Sequence, residues 1–147
     1  MNIKDTTILL VEDNPDDVIL TLRALRKNNI GNKIIVVADG AEALDFLFCQ
    51  NGHADREPCD LPQLVLLDLR LPKIDGLEVL RRIRADERSR DLPVVILTGS
   101  EEERLLVESY KNGANAFLNK PVDFGEFRKA IPELGMSWVV VSGELAV

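Results

Sequence analysis

Five short apolar runs punctuate the chain, and between four of them apolar residues recur at helical spacing. The runs are Ile8-Leu9-Leu10-Val11, Ile34-Ile35-Val36-Val37, Leu64-Val65-Leu66-Leu67, Val94-Val95-Ile96-Leu97 and Ala116-Phe117-Leu118. Unbroken apolar runs of this length, rich in Leu and β-branched residues, predict strands covered on both faces. Helices are predicted from Pro15 to about Asn28 (Val18, Leu22 and Leu25 inward), over Ala41 to Phe48 (Leu44, Leu47 and Phe48 inward) and over Gly76 to Asp86 (Leu77, Leu80 and Ile83 inward). Two more are expected, over Glu101 to Asn112 and from near Asp123. Asn14 suits an N-cap, Pro15 the first helical position, and Asp16 and Asp17 the positive end of the helix dipole. Gly31 and Gly113 are natural helix stops. Strands alternating with helices in this order predict an α/β fold, a parallel doubly wound sheet with right-handed crossovers. The polar stretch Gln50 to Pro62 reads as a loop, long beside the about 2–6 residues usual in such units.

At 147 residues the chain has room for one core. With 46% apolar and 29% charged residues it has the balance of a folded globular protein rather than a disordered one. A net charge of −7 argues against direct nucleic-acid binding, which needs a basic footprint. No stretch approaches the roughly 20 apolar residues of a membrane span, and Met1 to Asp5 contain no apolar signal core. The expected compartment is therefore the cytoplasm. Cys49 and Cys59 are too few for a disulfide framework and are expected to be thiols there. With His53 they form a Cys-x3-His-x5-Cys spacing that is one ligand short of a structural zinc site and wider than usual.

The chemistry gathers where strands end. The first run breaks into Glu12-Asp13, the third into Asp68, the fourth into Thr98, and the fifth into Asn119-Lys120-Pro121. In open α/β sheets ligands bind beyond the carboxyl ends of the strands. Glu12 and Asp13 precede the helix cap, so capping does not account for them. Three carboxylates brought together repel one another unless a hard, oxygen-seeking cation such as Mg²⁺ sits among them. With a hydroxyl from Thr98 and an ammonium from Lys120 the set suits phosphoryl transfer to a carboxylate.

These segments resemble the receiver domain of two-component response regulators. The matching pieces are Leu10-Val11-Glu12-Asp13-Asn14, Leu67-Asp68-Leu69-Arg70-Leu71-Pro72 with Asp75-Gly76, Leu97-Thr98-Gly99, and Phe117-Leu118-Asn119-Lys120-Pro121. The likeness runs from about Thr7 to Ile131. It implies a flavodoxin-like five-stranded sheet in the order 2-1-3-4-5 with helices on both faces. It implies Mg²⁺-dependent phosphorylation of Asp68 by the phosphohistidine of a sensor histidine kinase. Asp13, Asp68 and the Arg70 carbonyl would ligate the metal, with Glu12 acting mainly through water. Lys120 would pair with Asp68 and then with the phosphoryl group. Thr98 would close on the new phosphate oxygen, and Phe117 would rotate into the space it leaves; core packing is the other reading of Phe117. The resemblance further implies no turnover enzyme, only self-catalysed phosphoryl acceptance and slow autodephosphorylation, with output through helix four, strand five and helix five. Among receivers, the long loop before strand three and the apolar end are similar to the small regulators that serve phytochrome-type kinases.

Residues 1–131 are expected to form the receiver and 132–147 an extension too short to fold alone, so no DNA-binding output domain is expected. Pro132 should kink or end the last helix. Met136, Trp138 and Val139 to Val141 are apolar enough to need cover, either in a homodimer or against their own domain. Two other chemistries fit poorly. Haloacid-dehalogenase-like phosphatases place a second Asp two residues after the nucleophile, where this chain has Arg70. A nucleotide- or flavin-binding relative needs a Gly-rich phosphate cradle after strand one, where Glu12-Asp13 would repel phosphate.

Overall fold

The computed structural model describes residues 7–27, 33–55 and 61–97 in full, together with the backbone of 98 and 116–119. Five parallel strands, β1 (Ile8–Val11), β2 (Ile34–Val37), β3 (Leu64–Asp68), β4 (Val94–Thr98) and β5 (Ala116–Asn119), form one sheet in the order β2-β1-β3-β4-β5. That is the order expected. The described helices are α1 (Pro15–Lys27), α2 (Gly40–Phe48) and α3 (Gly76–Ala85). Helices four and five, the Gly31 and Gly113 stops, Pro132 and the tail lie outside the described residues. Among the described residues no helix is long and apolar enough to cross a membrane.

Side chains alternate across the sheet, so the runs of β1, β3 and β4 each feed two cores. Leu9, Val11, Val65, Leu67, Val94 and Ile96 pack with Leu44, Leu47, Val79 and Ile83 of α2 and α3. Ile8, Leu10, Leu64, Leu66, Val95 and Leu97 pack on the opposite face with Leu25, Val18 and Leu22 of α1. Helices thus cover both faces. Each fully buried Leu or Ile is worth about 1.5–3 kcal/mol of transfer free energy, which is why the central strands tolerate no polar residue until they end.

Two expectations are corrected. Helix α2 starts at Gly40 rather than Ala41, because Asp39 caps it: its Oδ1 accepts the Glu42 N–H at 2.7 Å. Cys49 is half-buried and disulfide-bonded rather than a thiol. The sequence holds one other cysteine, Cys59, outside the described residues. Part of the loop before β3 is ordered as a 3-10 turn at Asn51–His53, where His53 stacks edge-on against Phe46 at 5.3 Å.

Candidate metal centre

The site follows from register. Val11 of β1 pairs with Leu67 of β3, so one further step along both strands sets Glu12 beside Asp68. Neighbouring parallel strands lie about 4.8 Å apart, close enough for their terminal side chains to share a ligand. One carboxylate oxygen from each of Glu12, Asp13 and Asp68 lies within 4.8 Å of the other two. Oxygens bound to a single Mg²⁺ sit about 2.1 Å from it and hence no more than about 4.2 Å apart. Rotation of one carboxylate removes the difference. The donor set is oxygen only, the preference of a hard divalent cation.

The three groups differ in setting. Glu12 is 1% exposed and Asp68 5%, whereas Asp13 faces solvent. Backbone amides orient two of them: Asn14 N–H donates to Glu12 Oε2 at 3.2 Å, and Arg70 N–H donates to Asp68 Oδ1 at 3.3 Å. Asn14 Oδ1 in turn accepts the N–H groups of Asp16 and Asp17, so the start of α1 is capped as expected and its positive end faces the acidic pair. An open cleft of about 540 Å³ beside the site is lined by Asp13, Leu69, Arg70, Leu71, Asp75 and Leu77.

Of the predicted site residues, Glu12, Asp13 and Asp68 converge, and Arg70 stands at the start of the loop that follows Asp68. Thr98 ends β4, one step beyond Leu97, the partner of Asp68, and is level with Asn119 of β5. Phe117 belongs to β5, level with Ile96. The Thr98 and Phe117 side chains and Lys120 lie outside the described residues. Sequence reading missed the support beneath the loop: Asp39, Gly40 and Lys73. Asp39 carried a signal, since an Asx residue followed three positions later by Glu42 is a helix-start signature. Lys73 carried none.

The family model described as the response regulator receiver domain matches residues 8–132. The probable methanogenesis regulatory protein FilR2 of Methanothrix harundinacea is 41% identical over 132 residues, which is 90% of this chain and 83% of that protein. The bacteriophytochrome response regulator AtBRR superposes with a TM-score of 0.85 at 51% identity, covering 92% of this chain and 96% of its own. The Mn(2+)-bound form of response regulator Rcp1 superposes with a TM-score of 0.70 at 35% identity, over 88% of this chain and 90% of that one.

Proposed function

The chain belongs to the response regulator receiver domain family, and from that membership we propose that it accepts a phosphoryl group on Asp68 and passes the signal to a protein partner. The single observation that carries the reading is the convergence of the Glu12, Asp13 and Asp68 oxygens within 4.8 Å at the carboxyl edge of the sheet. The donor is the phosphohistidine of a sensor histidine kinase. A phytochrome-type kinase is favoured by the likeness to a bacteriophytochrome response regulator.

In the proposed step the donor N–P bond breaks, its electron pair leaving on the imidazole nitrogen, while a bond forms between an Asp68 carboxylate oxygen and phosphorus. Asp13 and Asp68, with the Arg70 carbonyl, would hold the divalent ion, and Glu12 would act mainly through water; the relative crystallised with Mn(2+) supports a divalent ion in a protein of this kind. Bound Mg²⁺ supplies charge neutralisation for the transferring oxygens. The Arg70 N–H keeps the Asp68 carboxylate turned toward the site. Lys120 and Thr98 take the remaining phosphoryl oxygens, and Thr98 with Phe117 relays the change to the surface of helix four, strand five and helix five. Phosphorylation turns the singly charged Asp68 carboxylate into an acyl phosphate carrying nearly two negative charges and new acceptor oxygens. That is a net gain of about one charge at an already acidic site, which is ample to rearrange a hydroxyl and a cation. No multiple-turnover chemistry is proposed.

Acetyl phosphate with Mg²⁺ tests the reading. A base-labile acyl phosphate should form one-to-one with protein and be absent from Asp68→Asn. Labelling that persists in that variant sinks the assignment.

A further inference from the structure

The loop joining β3 to α3 carries more constraint than a seven-residue connection requires. It is pinched at its base, where Gly76 N–H donates to the Leu69 carbonyl at 2.9 Å. A Cβ on Gly76 would lie 2.3 Å from the Asp68 carbonyl oxygen, so only glycine permits the closure. At its tip Ile74 N–H donates to the Pro72 carbonyl at 2.8 Å around Lys73, whose φ is 68°. That is a three-residue γ-turn of the rare, strained hand, and such conformations persist only where surrounding contacts enforce them.

The enforcing contacts come from the start of α2. Gly40 N–H reaches the Pro72 carbonyl at 3.4 Å, and a Cβ on Gly40 would fall 1.8 Å from the Ile74 carbonyl oxygen and 2.7 Å from its carbon. No rotamer change relieves such a clash, because the obstacle is backbone. Asp39 divides its carboxylate: Oδ1 caps α2, while Oδ2 pairs with Lys73 Nζ at 3.5 Å. Asp39 is mostly buried on its side-chain atoms and Lys73 mostly exposed, so the ion pair adds a weak tether to a tight backbone fit.

We infer that Asp39 and Gly40 are positioning residues for the phosphoacceptor: the start of α2 clasps the Pro72–Ile74 turn and thereby sets the Arg70 backbone against Asp68. The inference rests on the proposed function for its chemistry, but its geometry is independent of it. Neither residue reaches the acidic cluster. Both act through the loop, as residues behind metal ligands commonly do, where substitution costs about 10–100-fold in affinity.

The test compares wild-type protein, Gly40→Ala and Asp39→Ser by Mg²⁺ titration calorimetry, amide hydrogen exchange over 69–76 and acetyl phosphate labelling. Serine retains the cap and removes the ion pair. Gly40→Ala should weaken Mg²⁺ binding about tenfold, speed exchange over 69–76 but not in β1 or β3, and slow labelling in proportion. Asp39→Ser should do the same to a smaller degree. Affinity and loop exchange within twofold of wild type in folded Gly40→Ala overturn the inference, and if that variant fails to fold the same result in Asp39→Ser overturns it. Wild-type protein that takes no label sinks the proposed function instead, while loop exchange still reads the clasp.

Discussion

Adjacent in the chain, Glu12 and Asp13 occupy opposite settings, one 1% exposed under the sheet edge and the other on the surface. Together with Asp68 they carry like charge into one small volume, which destabilises the metal-free protein and prepares it for a cation. Asp13→Asn is therefore expected to raise Tm without metal and to abolish most of the Tm gain on adding Mg²⁺, both read by calorimetry. These three carboxylates were legible because each follows an apolar run that must stop where the sheet stops. The tether between Asp39 and Lys73 was not, since a surface lysine 34 positions away has no pattern linking it to a helix cap.

Helix α3 illustrates how much local chemistry settles an element. Asp75 caps it, its Oδ1 accepting the Glu78 N–H at 3.0 Å, and Ile83 and Val79 face the core. Glu78 receives hydrogen bonds from Arg81 and Arg82, which hold its pKa down from 4.5 to about 2. Beyond the helix, the Arg88 side chain and backbone likewise lower Asp86 from 3.8 to about 2. A depressed carboxylate stabilises fully above its unfolded pKa and loses that contribution as the proton binds. Stability should therefore decline as the pH falls from about 4.5 towards 2, and Glu78→Gln should flatten that decline in an acid titration followed by circular dichroism. Both ion pairs are solvent-exposed, so the effect is small beside core burial. Leu66→Ala, in the middle of β3 and 0% exposed, should cost about 2–5 kcal/mol in denaturant unfolding. Run length and helical spacing located the described strands and α-helices to within a residue or two. The 3-10 turn at Asn51–His53 fell in a stretch read as loop, and α2 starts one residue before its predicted start because Asp39 caps it.

The proposed cation binding at the sheet edge would be coupled to the stability of the entire domain. A cation that binds only the folded chain adds about 2.7 kcal/mol at one hundred times its Kd, so the thermal midpoint should climb with Mg²⁺ and fall back on chelation. The apolar segment from Met136 to Val141 poses a separate question of assembly, answered by sedimentation of the full chain against one truncated after Glu133. Association in the full chain alone supports dimer contacts by the tail, and monomer masses for both remove the dimer.

Strand positions, the alternation that yields a parallel sheet, and the acidic residues at strand ends are local in origin: they depend on spacing, burial period and where apolar runs break. Distances are not. That three carboxylates fall within 4.8 Å follows from β1 and β3 being neighbours in register, a pairing between segments more than fifty residues apart. The clasp of α2 on the acceptor loop is likewise invisible in one dimension, because a glycine shows its purpose only when another backbone occupies the space its side chain would have filled.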